Sequence, residues 1–166
     1  MSYKWNTRTE LLLGAERMEY LSHCHVLVVG LGGVGAYAAE QICRAGIGHM
    51  TIVDADTVND SNINRQLPAL HSTLGMQKAE VVGQRLLDIN PRLKLTILNE
   101  FLRDERTEEV LSAQKYDFIV DAIDSLSPKA YLLYHAYRRE IPIVSSMGAG
   151  AKIDPSQVKI ADISKT

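Results

Sequence analysis

The sequence predicts an α/β fold: a Rossmann-like, mainly parallel sheet with helices on both faces. Three observations carry that prediction. Short apolar runs alternate with stretches of helical period along most of the chain. The first of these runs is continuously apolar, as a strand buried on both faces requires. It leads directly into a glycine-rich turn that opens a helix, "VVGLGGVGAYAAE".

The elements follow in order. An N-terminal helical segment closes at "EYLSH", with Leu12, Leu13, Met18 and Leu21 forming one apolar side. "HVLVVGL" is the first strand, and "GVGAYAAEQICRAG" is a helix stopped by Gly46. "HMTIVDAD" is the second strand. After a polar loop, "QKAEVVGQRLLDINP" is a helix whose Ala79, Val82, Leu86 and Ile89 share a face and which Pro91 ends. "LKLTILN" is a strand, "RDERTEEVLSAQK" a helix with a polar face, and "YDFIVDAID" a further strand. "SPKAYLLYHAYRRE" is a helix with Ser127 as N-cap and Pro128 at its first position. "IPIVSSM" is the last strand of the repeating pattern. In "GAGAKIDPSQVKIADISKT" the rhythm breaks, and Asp154-Pro155-Ser156 reads as a turn joining two strands. The expectation is a C-terminal β extension that is truncated, so that residues 1–166 form a single domain at the N-terminal part of a longer protein.

Composition narrows the class. A chain of 166 residues, 46% hydrophobic and 23% charged, suits one soluble globular domain. A net charge of −2 makes no overall electrostatic case for nucleic acid, although a local patch leaves RNA open. Cys24 and Cys43 are the only cysteines and form no C-x-x-C pair, which fits a reducing cytoplasm, and both read as core thiols. The leucine run at residues 11–13 is neither a signal peptide nor a membrane span.

The chemistry begins at Gly30, Gly32 and Gly35, spaced G-x-G-x-x-G between strand and helix. The first permits a tight turn, the second lets backbone approach phosphate, and the third lets helix and strand pack closely. The helix N-terminus offers free N–H groups to an anion. This turn alone fits a dinucleotide or a mononucleotide. Asp54 ends the second strand and is the candidate for ribose hydroxyls, with Asp56 two residues on as a second candidate. A triphosphate carries more charge than backbone amides alone satisfy. AMP transfer adds negative charge on the leaving pyrophosphate. Arg65 supplies a planar fork for phosphate oxygens, Asn62 a polar group to orient phosphate or ribose, and Lys78 a cation in or near the first turn of a helix. Asp121 and Asp124 stand at the carboxyl end of the fourth strand. Asp124 suits a Mg²⁺ ligand beside phosphate; Asp121 suits that role or a helix cap equally. His71 and His135 have no partners at metal or catalytic spacing and read as structural or surface residues.

The order GLGGVG (30–35), VDAD (53–56), SNINRQ (61–66), G-x-x-K (75–78) and DAIDS (121–125) resembles the ThiF/MoeB/HesA superfamily, bacterial relatives of ubiquitin-activating enzymes. The resemblance implies an enzyme that uses Mg-ATP to adenylate a carboxylate. It places Gly32 and Gly33 along the phosphates and Asp54 on the ribose. Asn62, Arg65 and Lys78 fall on phosphates and Asp124 on the metal. It also implies a homodimer in which an N-terminal arginine, here most nearly Arg8, reaches the partner's ATP. Within the superfamily, "RTELLLG", "DSLSPKAYLL" and "SMGAGAKIDPSQVKIADISKT" are most similar to the tRNA threonylcarbamoyladenosine dehydratases. These activate the threonylcarbamoyl carboxylate on the adenosine beside the anticodon, so tRNA is the implied substrate. The second expectation is activation of the C-terminal glycine of a sulfur-carrier or ubiquitin-like protein, with a sulfur-transfer partner. Two readings from other classes remain: an NAD-dependent oxidoreductase, which leaves Arg65, Lys78 and Asp124 without work, and a non-catalytic interaction module.

Overall fold

A computed structural model describes residues 4–148, Gly150 and residues 152–165. Strands β1 (His25–Val29), β2 (His49–Val53), β3 (Lys94–Leu98), β4 (Phe118–Asp121) and β5 (Ile143–Ser145) form one sheet in the order β3-β2-β1-β4-β5. Every pairing is parallel. Helices α3 (Gly35–Ala45), α4 (Lys78–Ile89), α5 (Asp104–Ala113) and α6 (Leu126–Arg138) connect them, preceded by α1 (Thr7–Leu13) and α2 (Ala15–His23). This is the Rossmann-like architecture expected from the alternating runs.

β1 explains why its sequence is apolar throughout. Val26 and Val28 meet Ala36, Ala39 and Cys43 of α3 and Ala79, Val82 and Leu86 of α4. The alternate residues Leu27 and Val29 meet Val110 and Leu111 of α5 and Leu132 and Ala136 of α6. The sheet is therefore covered on both faces, and each fully buried side chain such as Leu27 or Ile52 contributes about 1.5–3 kcal/mol. A polar clasp adds to one layer: Glu40 of α3 is buried and accepts hydrogen bonds from Arg44 Nε at 2.8 Å and from Arg85 Nε of α4 at 2.5 Å. Gly46 adopts the left-handed conformation, φ 102° and ψ 21°, and ends α3 as expected.

Strand order reverses at β1, where the chain turns first toward β2 and later returns to β4. Open parallel sheets bind ligands at such a switch, beyond the carboxyl ends of the strands, and here the ends of β1 and β4 stand side by side.

The elements depart from expectation in three places. Gly14, at φ 83° and ψ 159°, divides the N-terminal helix into α1 and α2, so Leu12 is 81% exposed rather than part of one apolar side. α6 starts at Leu126 with Ser125 as N-cap, so Ser127 does not cap it and Pro128 lies within the first turn, where a missing N–H costs nothing. The expected C-terminal β extension does not form among the described residues. Residues 152–165 hold only short 3-10 turns at Pro155–Gln157 and Ile163–Lys165. Asp154 does make its turn, accepting from Ser156 N at 3.0 Å, but Ile153 and Ile160 remain exposed and neither flank has a strand to pair with. Among the described residues, no helix is long and apolar enough to cross a membrane.

Candidate active site

The glycine turn follows β1 and is shaped by contact with β4. Gly30 has φ 88°, a conformation that L side chains rarely adopt, and its N–H donates to Val53 O at 2.8 Å. A Cβ on Gly30 would stand 2.6 Å from Ala122 O, and one on Gly35 would stand 1.7 Å from Gly30 O. Those two glycines are required by close approach of backbone. Gly32 and Gly33 have more room: their Cβ positions lie 3.7 Å from Gln66 Nε2 and 3.5 Å from Arg65 O. The segment carrying Arg65 and Gln66 therefore lies over the glycine turn, although it is some thirty positions away in the chain. α3 begins beneath it with no side-chain cap, leaving first-turn N–H groups available to an anion.

β2 supplies the second wall. Asp54 Oδ2 accepts from Leu31 N at 2.6 Å and Oδ1 from Asp56 N at 2.8 Å, which ties the end of β2 to the glycine turn. Burial raises the Asp54 carboxyl above its ordinary value, while these N–H groups and the charge of Lys78 pull it back. Lys78 is the first residue of α4 and only 5% exposed. Its Nζ donates to Asp56 Oδ2 at 2.8 Å, so Asp56 turns toward this lysine.

The remaining candidates carry local partners. Arg65 is exposed and its guanidinium donates to Ser61 O at 3.0 Å and Asn64 Oδ1 at 2.9 Å. Asn62 Oδ1 accepts from Asn59 N at 3.0 Å, capping its own turn. Asp124 is exposed, just beyond the Ala122–Ile123 peptide that packs on Gly30, and makes no hydrogen bond or ion pair among the described residues. Asp121 takes neither role open to it in the sequence: it is fully buried and pairs with Lys129 Nζ at 2.6 Å. Arg8 is exposed on α1. The N-terminal helices meet α3 at Gly46, where Asn6 and Met18 pack. That is the far end of an 11-residue helix from the glycine turn, about 16 Å away along its axis. Within one chain the structure does not bring Arg8 to the turn.

Cys43 is buried, and burial pushes its thiol up to about 11, which makes it a poor nucleophile. His71 is exposed at the start of a 3-10 turn, and His135 is buried against Tyr131 and Tyr134 with Arg139 on its Nδ1, so neither joins the site.

Two residues near the turn escaped the sequence reading. Gln66 Oε1 is buried with no partner among the described residues, an acceptor left over beside the glycine turn. Gln66 sits inside the SNINRQ stretch, so the signal was present. Lys129 lies in the stretch that forms α6, and nothing in the sequence pairs it with Asp121.

The residues fit a nucleotide. The polar atom nearest the Cβ position of Gly32 is Gln66 Nε2, an amide donor, and α3 opens there with no side-chain cap. No group of three or more His, Cys, Asp or Glu among the described residues is placed to hold a metal ion by itself. A single free carboxylate such as Asp124 matches the Mg²⁺ mode in which most ligands are phosphate oxygens and water.

Comparison with known proteins agrees with this fold. The sequence model of the ThiF family matches residues 3–163. The chain is 40% identical to the tRNA threonylcarbamoyladenosine dehydratase of Escherichia coli (strain K12), over 100% of this chain and 63% of that protein. It is 32% identical to the molybdopterin-synthase adenylyltransferase of the same organism, over 82% of this chain and 53% of that one. Among solved structures, it superposes on the E. coli tRNA N6-threonylcarbamoyladenosine dehydratase in complex with ATP with a TM-score of 0.94 and 39% identity, covering 98% of this chain and 67% of the other. The chain thus spans a little under two thirds of the dehydratase's length.

Proposed function

The chain belongs to the ThiF family, and from that premise we propose that residues 1–166 act as a single ATP-binding domain that transfers AMP to a carboxylate. The observation that supports this most is the segment of Arg65 and Gln66 lying over Gly33 and Gly32, with the buried cation of Lys78 acting on Asp54. A nicotinamide dinucleotide gives these cations no work. A triphosphate does.

The chemistry divides among the chain's own residues. Gly30 and Gly35 hold the turn, Gly32 and Gly33 lie along the phosphates, and Asp54 takes the ribose hydroxyls. Asn62 orients a phosphate. A carboxylate oxygen attacks the α-phosphorus, the bond to the bridging oxygen breaks, and pyrophosphate leaves with the electron pair. Negative charge grows on that leaving group, where Arg65 and Lys78 act as electrostatic stabilisers. Neither need lose its present partners to do so: Arg65 uses only Nη1 on Ser61 O and Asn64, leaving Nε and Nη2 as donors, and Lys78 shares its ammonium between phosphate and Asp56. Asp56 therefore works as the counter-ion of Lys78 rather than on ribose. Asp124 is the ligand for Mg²⁺, which supplies charge neutralisation on phosphate oxygens when bound.

The likeness over the full chain to a tRNA threonylcarbamoyladenosine dehydratase supports a substrate assignment. The carboxylate is that of the threonylcarbamoyl group on the tRNA adenosine beside the anticodon. The acyl-adenylate closes into a ring as AMP departs, and the net change is loss of water. The 32% identity to an adenylyltransferase supports a second reading, activation of the C-terminal glycine of a sulfur-carrier or ubiquitin-like protein. In either case the protein acts as a homodimer in the cytoplasm, where its two free cysteines stay reduced, and Arg8 serves the partner's ATP.

Pyrophosphate exchange into ATP by the full-length protein tests the assignment. Threonylcarbamoylated tRNA and a small carrier protein ending in Gly-Gly are compared as the carboxylate. Exchange stimulated by the tRNA is expected; exchange stimulated only by the carrier reverses the assignment.

A further inference from the structure

A second charged cluster lies behind the glycine turn, at the carboxyl ends of β4 and β5. Lys129, 5% exposed, donates from Nζ to Asp121 Oδ2 at 2.6 Å, Ser146 O at 3.0 Å and Ser145 Oγ at 3.2 Å. An ammonium has three N–H donors, so all of them are used. Asp121 accepts three hydrogen bonds in all, the one from Lys129 included. Its Oδ2 also accepts from Ser145 Oγ at 2.6 Å, and its Oδ1 accepts from Ile123 N at 3.0 Å. The pair joins β4, the first turn of α6 and the exit of β5.

This arrangement excludes a Ser–Lys nucleophile. Lys129 is a donor to Ser145 and is held as the cation of an ion pair, so it has no lone pair with which to take the serine proton. Burying two charges is also a poor way to gain stability. Desolvation largely offsets their attraction, and an apolar pair of similar volume would serve the fold as well or better. The cluster therefore calls for a reason beyond stability.

Its reach supplies one. The Ile123 N–H held by Asp121 belongs to the Ala122–Ile123 peptide. The carbonyl of Ala122 closes against Gly30, and the Cβ of Ala122 stands 3.0 Å from where a Cβ on Gly35 would lie. The same peptide leads directly into Asp124. We propose that Lys129 is a positioning residue for the nucleotide site: through Asp121 it fixes the 122–123 peptide, and so the back wall of the glycine turn and the approach of Asp124. The inference rests on the reading of the turn as an ATP site.

The test removes both charges together, Asp121→Asn with Lys129→Met, because removing one alone strands a buried charge and threatens folding. In the full-length protein, ATP affinity is measured by calorimetry, pyrophosphate exchange by label, and protection of the Ile123 amide by hydrogen exchange. The double variant is expected to keep its unfolding midpoint within a few degrees, lose at least tenfold in ATP affinity and exchange rate, and lose protection at Ile123. Lys129→Arg keeps the charge but not the three-way contact, and is expected to lose ATP affinity at least fivefold while staying folded. It carries the test alone should the double variant not fold. ATP affinity within twofold of the parent in the folded variants, or in Lys129→Arg alone, overturns the proposal. A parent that binds ATP but exchanges no pyrophosphate sinks the adenylation reading instead, and leaves the affinity comparison valid.

Discussion

Lys78 is a cation at the positive end of a helix, a placement that costs about 0.3–1 kcal/mol against the helix dipole. Asp56 offsets that cost at 2.8 Å, yet half of the Asp56 side chain remains in water while Lys78 is buried. The asymmetry suits a lysine that gains a second anionic partner when phosphate arrives. Arg65→Ala and Lys78→Ala are each expected to slow pyrophosphate exchange about 100- to 1000-fold, the scale of losing one preorganised charge stabiliser. Unfolding midpoints should move little, since Arg65 is exposed and the Asp56 left behind can rehydrate. Steady-state exchange rates beside thermal melts check both variants, and near-parental turnover in both would remove the role. At this scale the sequence was informative where a residue's duty is local. The places of Gly30 and Gly35 in the turn, of Asp54 at the end of β2 and of Lys78 at the start of α4 are all readable from motif and helix register. Lys129 was not, because its meaning depends on the β4–α6 turn folding back over eight residues to bring it onto Asp121. Asp56 was half readable: its position was clear, and its partner on α4 was not.

The strands and the four helices that connect them were legible because periodicity and end signals agree, as at Gly46 after α3 and Pro91 after α4. The N-terminal helix was not, since the break depends on the backbone at Gly14 and not on any apolar pattern. The C-terminal strands failed for another reason: a strand needs an edge to pair with, and local alternation cannot supply one. The start of the sheet carries its own prediction. His25 begins β1, is buried, and shares a hydrogen bond with Thr51 Oγ1 of β2 at 2.9 Å. Burial first, and then His49, lowers its pKa below the ordinary 6.5. A histidine depressed in the folded state is protonated more readily when unfolded. Its contribution to stability is therefore full above the unfolded value and is lost as pH falls through the folded one. Urea midpoints should rise as the pH is raised through the acid side of 6.5 and then level above it, with a smaller rise in His25→Gln. The same slope in both proteins would show that His25 is not its source.

At the scale of the whole molecule, the glycine turn at the strand switch and the helices that carry the N-terminal arginine stand at opposite ends of α3. If Arg8 serves a partner's site, two inactive variants should repair each other. Mixed Arg8→Ala and Lys78→Ala proteins, allowed to exchange subunits, are expected to recover about a quarter of parental exchange, because half of the dimers are mixed and each has one intact site. No recovery would assign Arg8 to its own chain or to no site at all. Beneath all of this lies one chemical claim, that a carboxylate oxygen becomes bonded to the α-phosphorus of ATP at the glycine turn. Turnover of threonylcarbamoylated tRNA bearing ¹⁸O in the carboxylate, with mass analysis of the nucleotide product, tests it most directly. The claim predicts AMP carrying one ¹⁸O; unlabelled AMP, or ADP with labelled phosphate, would contradict it.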